Sequence, residues 1–122
     1  MNLRSALARI EGAFAARIRK GIAVAGVTLR AADSDRSAFT QLLAMLNEAE
    51  RLGVLPPSTT IADKDGVPHE LPTAQVRGML VEYGGAYQAL WLRRVGLENA
   101  VKAAAGDAAR AAIPVDFDIR ST

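Results

Sequence analysis

The chain has 122 residues, half of them apolar, with no cysteine, one histidine and a formal net charge of +2. A chain of that length fits one domain and buries roughly two-thirds of the surface its unfolded form exposes, so it folds without disulfides or a structural metal. The composition excludes a disulfide scaffold, thiolate chemistry and general disorder, and no stretch approaches the ~18 apolar residues of a membrane span.

The charge is unevenly spread. Residues 1–30 hold six basic groups (Arg4, Arg9, Arg17, Arg19, Lys20, Arg30) against Glu11, whereas residues 31–72 hold three against seven acids. Such an N-terminal segment can serve nucleic acid, a membrane surface or an acidic partner. The more ordinary use is a solvated helix face that pairs with the acidic middle of the same chain. Arg9, Glu11, Arg17 and Arg19 interrupt any apolar core of a secretory signal, and the segment runs straight into a folded element.

In chain order, Leu3, Leu7, Ile10, Phe14 and Ile18 lie at spacings of three and four and predict a helix over about 3–19, stopped by Gly21. Ile22-Ala23-Val24 and Val27-Thr28-Leu29 flank Ala25-Gly26, a two-residue turn, and predict a hairpin. Asp33, Ser34 and Asp35 offer N-caps for a second helix from about Arg36 to Leu52, with Phe39, Leu42, Leu43, Leu46 and Ala49 on its apolar face. Pro56-Pro57 makes an extended connector. A second hairpin follows, Thr59–Ala62 and Val67–Leu71 around the turn Asp63-Lys64-Asp65-Gly66.

The strongest pattern is the third helix, with Thr73 as its expected N-cap. Val76, Leu80, Tyr83, Tyr87, Leu90, Arg94, Leu97 and Val101 alternate spacings of four and three, a heptad register. Gly84-Gly85 in its middle costs roughly 1 kcal/mol per glycine relative to alanine, which suggests close approach of another backbone or a kink. Past Gly106 the chain is Ala-rich. It then turns extended at residues 113–119, where apolar and acidic residues alternate as in an edge strand or a docking peptide. The fold class is therefore α+β: helix, β-hairpin, helix, β-hairpin, long helix and extended tail. Residues 1–105 read as one domain and residues 106–122 as a tail.

Groups that carry chemistry are sparse. Asp63-Lys64-Asp65-Gly66 resembles the start of a calcium loop, but Val67 and Pro68 occupy the places where further ligands belong, so a plain turn is the better reading. His69 stands alone in its run, since the adjacent Glu70 points to the opposite face of a strand. Neither a cofactor site nor a metal site is expected. No basic stripe interleaved with aromatics appears, which argues against nucleic acid.

Residues 17–22 (Arg-Ile-Arg-Lys-Gly-Ile), 26–29 (Gly-Val-Thr-Leu) and 32–37 (Ala-Asp-Ser-Asp-Arg-Ser), with the turn at 62–67 and a long Ala-rich helix, resemble a domain of unknown function common in tailed bacteriophages and prophages. The likeness covers about residues 10–105. It departs from the family at Ile22, where an aromatic is usual, and in the second hairpin, which lacks a tryptophan. Such domains are typically attached to tail or tail-fibre proteins, and a stand-alone copy favours a small separate component. The resemblance implies a non-enzymatic structural or adaptor piece of tail tip, baseplate or fibre, located in the virion tail or in the host cytoplasm during assembly. Its expected partners are other tail proteins or a second copy, with no membrane. A fibre-assembly chaperone and a basic nucleic-acid-associated protein are the alternatives. The expected protein interface is the third-helix seam (Leu80, Tyr83, Tyr87, Leu90, Arg94, Leu97) and the tail (Val115, Phe117, Ile119).

Overall fold

A computed structural model describes residues 1–118. Among the described residues the order is α1 (Leu3–Arg19), β1 (Ile22–Val24), β2 (Val27–Leu29), α2 (Asp33–Arg51), β3 (Ser58–Ala62), β4 (Pro68–Pro72), α3 (Thr73–Ala103) and α4 (Asp107–Ala111). The α+β class and the order helix, hairpin, helix, hairpin, long helix are as the sequence predicts. Among the described residues no helix is long and apolar enough to cross a membrane. The chain divides into two compact units, Arg19–Tyr87 and Met1–Ile18 with Gln88–Thr122, the boundary falling within α3. They are called the hairpin unit and the terminal unit.

In the hairpin unit, β1 and β2 pair antiparallel with Ile22 opposite Leu29 and Val24 opposite Val27. Ala25 (φ 49°) and Gly26 (φ 79°) both lie in the left-handed region. That is the primed turn whose twist matches the strands, and alanine is a strained choice for it. Gly21 (φ 78°) ends α1, and a Cβ there would sit 2.6 Å from the Leu29 carbonyl oxygen, so only glycine fits.

Helix α2 starts three residues before the expected Arg36. Its N-cap is Ala32, which has no side chain to cap with, and Asp33 and Asp35 stand in the first turn. There they favour the helix through its dipole rather than as caps. It ends in a Schellman motif, with Val54 N–H on the Ala49 carbonyl (2.8 Å) and Gly53 N–H on that of Glu50 (3.0 Å). Strands β3 and β4 pair from Ser58–Pro72 to Ala62–Pro68. The Lys64 N–H donates to the Thr28 carbonyl at 2.7 Å and joins the turn of the second hairpin to the end of the first. Thr73 opens α3, buried, with its hydroxyl 2.7 Å from that of Thr59.

Ile22, Val24, Leu29, Leu46, Ile61, Val76, Met79, Leu80 and Tyr83 are the larger buried side chains of this unit. Each contributes about 1.5–3 kcal/mol by leaving water.

In the terminal unit, the Asn2 side chain caps α1 by accepting the Ser5 N–H at 2.8 Å. Ala6, Ile10 and Phe14 form its buried stripe, and Leu90, Leu97 and Val101 that of α3. Helix α4 lies in the Ala-rich part of the tail, where the sequence reading names no helix. Residues 114–118 lie in no helix or strand, so the edge-strand expectation does not hold there. Gly84 and Gly85 are a further difference. Helix α3 runs through them unbroken, and a Cβ at either meets no atom within 4 Å. No backbone approaches, and the pair leaves open surface instead.

Candidate functional site

A concavity of the hairpin unit lies between α2 and the first half of α3. The two helices run antiparallel: Arg77 reaches Asn47 (Nη2 to Oδ1, 2.9 Å) and Glu50 at one end, while Arg36 lies over Tyr87 at the other. A groove of about 410 Å³ opens between them, lined by Arg36, Phe39, Thr40 and Leu43 from α2 and by Leu80, Val81, Tyr83, Gly84 and Tyr87 from α3. Such a volume suits a few apolar side chains or a small ligand.

The local chemistry explains the shape. Phe39 and Tyr83 meet edge to face with centroids 5.0 Å apart, which fixes the floor. The Tyr83 hydroxyl donates to the Arg30 carbonyl at 2.6 Å. Burial, then the nearby Asp35 carboxylate, push its phenol up to about 12, with Arg36 opposing. Arg36 is fixed at the mouth: Nη1 donates to the Ala31 carbonyl (2.7 Å), Nη2 pairs with Asp33, and the guanidinium carbon sits 3.9 Å from the Tyr87 ring centroid. Gly84 provides no side chain to fill the space, and Val81 stands 62% exposed on the rim, an apolar residue left in water. Exposed apolar surface around a groove marks a contact site more often than a lone exposed residue does.

The residues expected at an interface are placed as follows. Leu80, Tyr83, Leu90, Leu97 and Phe117 are buried within the chain, and of these Leu80 and Tyr83 also line the α2–α3 groove. Tyr87, Arg94 and Val115 are half-buried. Ile119 lies outside the described residues. The seam packs largely within the chain, with Leu80, Tyr83 and Tyr87 reaching the groove, and the neighbouring face carries Val81 and Gly84. Arg94 is held at an aromatic bracket in the terminal unit, its guanidinium 4.9 Å from Phe14 and 5.7 Å from Trp91, with Glu98 at 3.9 Å.

No match to this chain is found among family models, curated proteins or solved structures. The site must be read from its own geometry.

A second cluster surrounds His69, which is not alone. Its Nε2 lies 2.9 Å from Asp63 Oδ2, while Asp63 Oδ1 accepts the N–H groups of Asp65 and Val67, each at 2.9 Å. The His69 hydrogen bond, then the backbone amides, hold the Asp63 carboxyl below its ordinary value. Asp63 thus shapes the turn and ties it to β4. Among the described residues no group of three or more His, Cys, Asp or Glu side chains is placed to hold a metal ion. The sequence reading missed Asp63 as the partner because the two residues are six apart and meet only once the hairpin has formed. It also missed Phe39, Thr40 and Leu43 as groove residues, because an apolar helix face reads as core whether or not something covers it.

Proposed function

We propose that this protein works by protein–protein contact, as a small structural or adaptor component of a phage or prophage tail. The observation that carries the contact reading is the groove between α2 and α3, apolar across its middle, with a fixed guanidinium at its mouth and Val81 exposed on its rim. The likeness of residues 10–105 to a phage-associated domain supports the tail assignment. The groove would receive apolar side chains from another tail protein.

Two measurements test this. Mass spectrometry of purified tail particles from the source strain should find the chain at a fixed ratio to the tube protein. Detection only in infected cells would make it an assembly factor, and detection without expressed phage genes would remove the tail assignment. Gly84→Leu fills the groove at a position with open space. It should leave the far-UV circular dichroism unchanged and prevent incorporation into particles; normal incorporation would remove the groove as the contact.

A further inference from the structure

A polar cleft of about 420 Å³ lies in the hairpin unit, where the turn of the second hairpin meets the first. The bond from Lys64 N–H to the Thr28 carbonyl fixes its two sides against each other. Lys20, Thr28, Asp63, Lys64, Asp65 and His69 line it. Their bonding is unequal. Asp63 is fully engaged, with Oδ1 on the Asp65 and Val67 N–H groups and Oδ2 facing His69 Nε2. A carboxylate only accepts, so Nε2 carries a hydrogen and donates it to Asp63. The ring nitrogen left for a ligand is Nδ1, which has no hydrogen-bond partner among the described residues. The Lys20 and Lys64 ammonium groups, the Thr28 hydroxyl and the Asp65 carboxylate have none there either. Glu70, next to His69 on β4, is engaged by Ser58 instead. With His69 neutral, two lysines stand against two carboxylates in the cleft; with His69 charged, three cations stand against two.

We propose that this cleft binds a tetrahedral oxyanion, a phosphate ion or the phosphate of a small monoester, through Lys20, Lys64, the Thr28 hydroxyl and His69 Nδ1–H, and that proton uptake by His69 switches the binding on. An oxyanion accepts hydrogen bonds on every side, which suits donors that converge from three separate segments of the chain. The volume exceeds that of a bare oxyanion and leaves room for the carbon body of an ester. Asp63 is a positioning residue: by holding Nε2 it leaves Nδ1 as the nitrogen that takes the proton and donates to the anion. Asp65 is the one unengaged group that opposes an anion, so its removal is a test of sign. The inference is independent of the α2–α3 groove and of the tail assignment.

The imidazole proton resonances of His69, the only histidine, report on the cleft directly. Inorganic phosphate, glycerol phosphate and sulfate are titrated into the intact chain at constant ionic strength and fixed pH, with chloride as the control. Phosphate and glycerol phosphate should shift the resonances saturably in the millimolar range, and the tighter of the two identifies the source as free ion or ester. Sulfate stays doubly charged throughout and so carries the proton test: its affinity should rise at least ~5-fold from about pH 8 to about pH 5 as His69 charges. Lys64→Met should weaken sulfate binding at least ~5-fold and Asp65→Asn should tighten it ~3-fold. Both side chains are exposed, so both variants should keep the parent's circular dichroism. His69→Gln, followed by the Lys64 amide, should bind weakly at either pH. A response that never saturates, or that chloride matches, overturns the proposal. So does saturable sulfate binding that is flat with pH, or that is the same in the parent, Lys64→Met and Asp65→Asn.

Discussion

Tyr83→Phe isolates one hydroxyl at the centre of the hairpin unit. The ring and its contact with Phe39 stay; the 2.6 Å hydrogen bond to the Arg30 carbonyl goes. Arg30 is exposed, so water can reach the abandoned carbonyl and the loss falls near the middle of the usual range, about 1 kcal/mol or a fivefold change in the folded-to-unfolded ratio. The pH dependence carries a second signature. Burial and Asp35 raise the folded phenol's pKa to about 12 from the ordinary 10.0. A group raised in the folded state stabilises fully below its unfolded value and loses that contribution as pH rises through the folded one. The parent should therefore lose stability between pH 10 and 12, whereas the phenylalanine variant has no such group, so the gap between them should close in that interval. Urea unfolding by circular dichroism at pH 8 and pH 11 measures both effects. Phenolate absorbance adds a check, since Tyr83 and Tyr87 are the only tyrosines and the late-titrating component should vanish in the variant. A difference below ~0.3 kcal/mol at pH 8, or a parent whose stability is flat from pH 10 to 12, would refute the reasoning.

Ala25→Gly should raise stability by about 1 kcal/mol in urea unfolding, because the native φ of 49° strains alanine and not glycine. Gly21→Ala should cost at least ~1–3 kcal/mol by the same assay, since its Cβ would meet the Leu29 carbonyl oxygen at 2.6 Å and its φ is 78°. Gly85→Ala, with open space around the new methyl, should stabilise by up to ~1 kcal/mol. The Asp63 carboxyl is depressed by His69 and the turn amides, so its contribution is present above the ordinary carboxylate value of 3.8 and lost as pH falls below it. Protection of the second hairpin's amides should therefore fall on acidification below that value, and Asp63→Asn should remove the dependence.

What the sequence made legible was whatever a local period or a turn residue encodes. Leu3 to Ile18 and Val76 to Val101 repeat at helical spacing, and Ala25-Gly26 sits between two β-prone triplets, so those elements fall within a residue or two of the structure. The start of α2 was misplaced because Asp33 and Asp35 can serve equally as caps or as first-turn acids, and Arg36, by pairing with Asp33, favours the second role. Helix α4 is a five-residue segment, Asp-Ala-Ala-Arg-Ala, after a glycine, below the length at which periodicity speaks. The candidate site was least legible. Val81 and Gly84 are ordinary helix-surface residues in sequence, and only the position of α2 beside them makes a groove. Phe14 and Phe117 lie 103 residues apart (117 − 14), and no pattern along the chain links them.

The bond from Lys64 N–H to the Thr28 carbonyl has a consequence for exchange with solvent. Lys64 sits in an exposed turn where an amide would ordinarily trade its hydrogen for deuterium within seconds, yet this one points into the other hairpin. Its lifetime therefore reports neither hairpin alone but the docking of one ribbon on the other. Its exchange would serve as a clock for that docking, distinct from the neighbouring turn amides that bond to Asp63 itself, and readable in the intact protein without any substitution.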